Sequence, residues 1–136
     1  MIGILIVAHG TLGESLIQCA THVLGRRPEK MAALDVTAQT QLTMLECGRE
    51  WIARLDQGNG VLLLSDIYGA TPCNTMCRLL APGRVEGIAG INLPMLMRAI
   101  TYRALPLAEV VDKAVSGGRE GVLYINPELC DATAGC

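Results

Sequence analysis

The chain opens on an unbroken apolar run, residues 2–8 (IGILIVA), that stops at His9-Gly10. A half-solvated strand alternates apolar with polar positions, so a continuous run of this length predicts a short strand buried on both faces. The period then changes. Leu12, Leu16, Cys19, Ala20, Val23 and Leu24 recur at helical spacing, and Gly25 ahead of Arg26-Arg27-Pro28 supplies a stop, which predicts a helix over 12–24. Residues 31–36 read as a second strand. Residues 40–55 read as a second helix with Leu42, Leu45, Trp51, Ile52 and Leu55 on period, interrupted by Gly48 and closed by Gly58-Asn59-Gly60.

The most apolar short run, 61–64, leads directly into Ser65-Asp66 and predicts a central strand. Thr71-Pro72 offers an N-cap followed by proline at the first helical position, opening a helix to residue 80. A fourth strand is expected over 85–91 despite Gly87 and Gly90, then a helix from Asn92-Leu93-Pro94 to about 103. A last helix is expected over 106–115, stopped by Gly117-Gly118, with a terminal strand over 122–125. Residues 126–136 show no periodicity and read as a loosely held tail. Strands alternating with helices predict one α/β domain over 1–125, an open parallel sheet with helices on both faces. A strand order of 2-1-3-4 would set strands one and three side by side, their carboxyl ends framing a crevice.

Composition narrows the function classes. Apolar residues make up 51% of the 136 and charged residues 18%, with no Phe, so the core is aliphatic. A net charge of -2 gives no electrostatic reason to expect nucleic acid or an anionic membrane as partner. No apolar run approaches the ~20 residues of a membrane helix, and no basic segment precedes the first apolar run, so a cytoplasmic location is expected. The cysteines fall largely in apolar helical patterns without a Cys-x-x-Cys pair and read as small core residues. Cys73 and Cys77 share a helix face but have no His or second Cys pair beside them, so no metal is expected. No Gly-x-Gly-x-x-Gly or P-loop lysine motif suggests a nucleotide, and no cofactor is expected.

The candidate chemistry lies at the crevice. His9 ends the first strand and Asp66 ends the third, the two strands that flank the expected switch point. Imidazole, with an unperturbed pKa near ~6.5, offers a free ring-nitrogen lone pair at neutral pH and can attack phosphorus without a separate base. A carboxylate accepting from Nδ1 would fix the tautomer that leaves Nε2 free and would steady the developing positive charge. Helix amino termini after Gly10-Thr11 and at Thr71-Pro72 would offer amide donors to phosphoryl oxygens, with Gly10, Gly13 and Gly69 leaving room for close approach. From pattern alone the pair has a second reading, a structural histidine and a turn-forming aspartate. His22 falls on the polar side of the first helix, and Asp35, ending the second strand, reads as structural. Met95 and Met97 read as core filler, or as an adaptable apolar rim on which Asn92, Pro94 and Met95 would dock a partner.

Three segments in order, Ile4-Leu5-Ile6-Val7-Ala8-His9-Gly10, Asp66-Ile67-Tyr68-Gly69-Ala70-Thr71-Pro72-Cys73-Asn74 and Gly90-Ile91-Asn92-Leu93-Pro94-Met95-Leu96, resemble the mannose/fructose-type IIA family of the phosphoenolpyruvate-dependent sugar phosphotransferase system (PTS). The resemblance implies a phosphotransferase in which His9 carries phosphate, Asp66 orients it, and Thr71 lies near the phosphoryl group. It implies phospho-HPr as donor, a IIB component on a separate chain as acceptor, and only indirect membrane association through a permease. It also implies a homodimer in which the carboxyl-terminal strand, 122–125 here, crosses to the partner. Ala70-Thr71 stands where Gly-Ser is common and Cys73 where an aromatic is frequent. The resemblance extends to two other uses, a stand-alone regulatory phosphoprotein and the phosphocarrier of a dihydroxyacetone kinase.

Overall fold

A computed structural model describes residues 1–38, 40–69 and 71–133, without the side chains of Thr71, Pro72, Ala132 and Thr133. The elements are β1 (Gly3–Ala8), α1 (Leu12–Leu24), β2 (Met31–Asp35), α2 (Gln41–Leu55), β3 (Val61–Ser65), α3 (Thr71–Leu79), β4 (Val85–Ala89), α4 (Leu93–Thr101), α5 (Leu107–Glu120) and α6 (Pro127–Thr133). The four strands form one parallel sheet in the order β2-β1-β3-β4. This is the predicted open α/β architecture.

Side-chain alternation divides the aliphatic residues between two cores. Ile4, Ile6, Ala8, Leu62, Leu64 and Ile88 face one side, where Ile17 and Ala20 of α1, Leu96 and Ala99 of α4, and Val110 and Ala114 of α5 cover them. Leu5, Val7, Ala32, Leu34, Val61 and Leu63 face the other, beneath Met44, Leu45 and Leu55 of α2 and Cys73, Met76 and Leu79 of α3. Burial on both faces is why β1 and β3 read as continuous apolar runs.

The covering helices depart from the simple reading in informative ways. α1 seats Gly13, Ile17 and Ala20 on the sheet, while Leu12, Val23 and Leu24 are exposed. Gly13 dictates that rotation, because a Cβ there would come within 2.9 Å of the Ala33 Cβ and 3.1 Å of Ile6 Cγ2. α5 does not stop at Gly117-Gly118 but continues to Glu120. A Cβ at Gly117 would lie 2.6 Å from the Arg98 Cβ, and one at Gly118 would lie 2.8 Å from Met95 Cε, so the pair lets α5 press against α4. Among the cysteines of the described residues only Cys73 is buried; Cys19, Cys77 and Cys130 are exposed and Cys47 is half-buried.

The carboxyl-terminal expectations need one correction, in the tail. Residues 122–125 belong to no strand and pair with no described residue, and they are 65–88% exposed. A strand is made by its ladder partner as much as by its own residues, and this single chain supplies none for them. The tail beyond is not featureless, since α6 occupies 127–133. Asn126 Oδ1 accepts from the Leu129 amide at 2.9 Å and Pro127 begins the helix, a cap followed by proline at the first helical position.

Arg103 ties the amino-terminal end of the sheet. Only 7% exposed, it donates from Nε (3.1 Å) and Nη2 (2.7 Å) to the Ile2 carbonyl, from Nη1 to that of Glu29 (2.6 Å), and again from Nη2 to that of Lys30 (3.0 Å). Arg103→Met keeps much of the volume but strands the Ile2 and Glu29 carbonyls. A loss of about 3 kcal/mol is expected, read as a lower urea midpoint at unchanged slope.

Candidate functional site

β1 lies between β2 and β3, so its carboxyl end has a neighbour on each side. Ala8 is in register with Asp35 of β2, and Val7 with Ser65 of β3, immediately before Asp66. Successive amides of an extended chain point to opposite neighbours, and the two that follow the last residue of β1 find carboxylates. The His9 amide donates to Asp66 Oδ2 at 3.0 Å, and the Gly10 amide donates to Asp35 Oδ1 at 2.9 Å. Gly10 then takes φ +57°, a left-handed turn that glycine adopts freely, and the chain enters α1.

The predicted histidine–aspartate pair is formed. His9 Nδ1 lies 2.7 Å from Asp66 Oδ2, and the other carboxylate oxygen accepts from the Ile67 amide at 2.8 Å. A carboxylate can only accept, so Nδ1 carries the proton and Nε2 of the neutral ring keeps its lone pair. The His9 side chain is 48% exposed and that of Asp66 only 8%. Burial works to raise the Asp66 carboxyl, but hydrogen bonds from the His9 amide, the His9 ring and the Ile67 amide outweigh it and hold the group below the usual carboxylate range. The result is a fixed negative charge behind a half-exposed ring whose far nitrogen takes no hydrogen bond from the described residues.

The other predicted residues divide. Thr11 is exposed and caps α1 without a side-chain bond, and the amides of Thr11, Gly13 and Glu14 find no acceptor among the described residues. The Gly10 amide is already engaged by Asp35; what Gly10 offers is space, with nothing within 4 Å of where a Cβ would stand. Gly13, expected to make room for a ligand, makes room for the sheet instead. Thr71 begins α3, but its side chain lies outside the described residues. His22 is exposed, as its position on α1 predicts. Met95, read as core filler or as part of a docking rim, is 5% exposed and packed in the core. Asn92 caps α4 through Met95 N (2.9 Å) and donates to the Gly118 carbonyl (3.0 Å), while Pro94 is exposed but sits where a Cβ on Gly121 would collide with it. These contacts spend the groups on α4–α5 packing.

Two features escaped the sequence reading. Asp35 reaches the His9–Gly10 turn, which only the β1–β2 register reveals. Ile67 and Tyr68, 63% and 83% exposed, leave an apolar patch directly after Asp66, although turn residues next to a polar site are a readable sign of a contact surface. Among the described residues no group of three or more His, Cys, Asp or Glu could hold a metal ion, and no helix is long and apolar enough to cross a membrane.

Residues 3–115 match the family described as the PTS system fructose IIA component. The chain belongs to this family. Over 98% of its length it is 36% identical to the PTS system mannose-specific EIIAB component of Escherichia coli K12, of which the match spans 42%. It thus covers less than half of that relative. The fructose-specific EIIA component of Bacillus subtilis 168 is 27% identical over 76% of this chain and 71% of its own. Among solved structures, a phosphotransferase system component EIIA from Streptococcus agalactiae superposes with a TM-score of 0.81 over 91% of this chain and 97% of that one, at 24% identity, a likeness of fold. This IIA chain is thus a phosphotransferase-system protein of the mannose/fructose type.

Proposed function

We propose that this IIA chain is a cytoplasmic phosphocarrier that takes a phosphoryl group from phospho-HPr onto His9 Nε2 and passes it to a IIB component during sugar uptake. The observation that carries this reading is the His9 Nδ1–Asp66 contact at 2.7 Å, which leaves the lone pair on Nε2 of a half-exposed ring. In the transfer, the Nε2 lone pair forms an N–P bond as the donor's P–N bond breaks, returning the donor imidazole to its neutral state. Nδ1 keeps its proton throughout, and Asp66 balances the charge that grows on the ring. The unpaired amides at the start of α1 are suited to phosphoryl oxygens, and Thr11 beside them and Thr71 at the start of α3 are the two threonines that would complete the site.

Half exposure of the nucleophile suits a donor and acceptor that are themselves proteins, because an enclosed small-molecule site would bury it. Ile67 and Tyr68 supply apolar contact beside it. The exposed apolar segment 122–125 supports a homodimer in which each chain lends those residues to the other's sheet. Incubation with phosphoenolpyruvate, enzyme I and HPr is expected to give an acid-labile, base-stable phosphoprotein that loses its label when a IIB component is added. A label stable to acid, or none at all, overturns the reading.

A further inference from the structure

We propose that Asp35 is a second positioning residue for phosphoryl transfer, holding the backbone on which His9 is mounted as Asp66 holds its ring. This rests on the phosphocarrier reading above. The two carboxylates, Asp66 directly after β3 and Asp35 at the end of β2, take the two amides that follow β1, His9 N by Asp66 and Gly10 N by Asp35. Each acts where the parallel ladder runs out. The last backbone bond on the β2 side is Val36 N to Ala8 O at 3.1 Å, and the Asp35 carboxylate adds one bond beyond it.

That extra bond matters because the residue after His9 is a glycine. Gly10 at φ +57° has no side chain to restrict it and nothing within 4 Å of its Cβ position, so sterics alone do not hold the turn. The Asp35 bond fixes the peptide between His9 and Gly10, and thereby the direction from which the imidazole leaves the chain. Without it, the ring would keep its Asp66 contact only part of the time. Asp35 is itself held in place: the same Oδ1 accepts from the Thr37 amide at 2.8 Å and the Thr37 hydroxyl at 2.6 Å. The Thr37 hydroxyl and amide draw its carboxyl below the usual range, so it is an ionised acceptor at neutral pH.

All three donors use one oxygen, which makes the substitutions discriminating. Asp35→Asn keeps a carbonyl oxygen for all three. Asp35→Ala removes the acceptor, and Asp35→Ser keeps a hydroxyl able to serve Thr37 but too short to reach Gly10. In single-turnover phosphorylation by phospho-HPr, Asp35→Ala and Asp35→Ser are expected to be about 10- to 100-fold slower at saturating donor, with the half-saturating donor concentration little changed, and Asp35→Asn is expected to recover most of the rate. In nitrogen-15 spectra both slow variants should lose hydrogen-exchange protection at the Gly10 amide and show a mixed His9 ring tautomer. A purely structural aspartate would instead lower the melting temperature without moving the ring tautomer. Wild-type rates and an unmixed tautomer in Asp35→Ser, with Gly10 deprotected, would overturn the proposal. Should phospho-HPr not label the wild-type chain, the phosphocarrier reading falls, and the Gly10 exchange and His9 tautomer still decide whether Asp35 positions the ring.

Discussion

His9→Ala is expected to take up no phosphoryl group from phospho-HPr under conditions that label the wild-type chain fully, and to unfold within about 1 kcal/mol of it. The two halves of this expectation have different causes. The imidazole supplies the only lone pair positioned on Asp66, and alanine has no nucleophile, so the loss of transfer is complete. The ring is half exposed, so its removal empties no core cavity. Asp66 loses one donor but keeps the amides of His9 and Ile67. Its carboxylate stays hydrogen-bonded and opens partly to water, which limits the cost. Label incorporation measured beside urea unfolding separates the two effects. Undiminished labelling of His9→Ala would move the phosphorylated residue elsewhere.

Asp66→Asn carries the second large effect. Both oxygens of Asp66 accept, Oδ2 from the His9 amide and ring and Oδ1 from the Ile67 amide. An asparagine has one oxygen for these two jobs. If that oxygen stays with Ile67, the NH2 group faces the His9 amide and pushes the ring into the tautomer that protonates Nε2, the nitrogen that must attack. If the amide flips, the ring keeps its acceptor but the NH2 group faces the Ile67 N–H and the negative charge is gone. Either arrangement is expected to slow transfer by roughly 10²- to 10⁴-fold while the fold persists.

The same substitution has a pH signature. The Asp66 carboxyl lies below its ordinary value in the folded chain. The stability this contributes is therefore present above the unfolded pKa, near ~3.9, and is lost as pH falls through the folded value. The difference in urea midpoint between the wild type and Asp66→Asn is expected to be widest near neutral pH and to shrink below about pH 4. A difference that stays constant with pH would show that Asp66 acts by shape and not by charge.

Much of this was readable before any coordinates. The apolar runs of β1 and β3 are continuous because both faces of those strands are buried, and such runs identify central strands from composition alone. His9 and Asp66 come directly after those runs, so naming the central strands also named the pair. Gly25, read as the stop of the first helix, is its left-handed C-cap, and this is likewise local because glycine adopts that backbone freely. The cap at Asn126 was equally local, and its short apolar-poor helix hid it.

By itself, then, the sequence determined which segments could be strands or helices and which two side chains close the central strands, since these depend on a residue and its near neighbours. Only the tertiary structure decided the rest. Asp35 became a site residue through strand register, α1 turned Gly13 inward through contact with Ala33 and Ile6, and Gly117-Gly118 became a packing surface once Arg98 and Met95 lay opposite. Residues 122–125 show the same dependence in reverse: apolar and exposed, they form no strand here because their backbone bonds require a second strand, and no stretch of sequence carries its own partner.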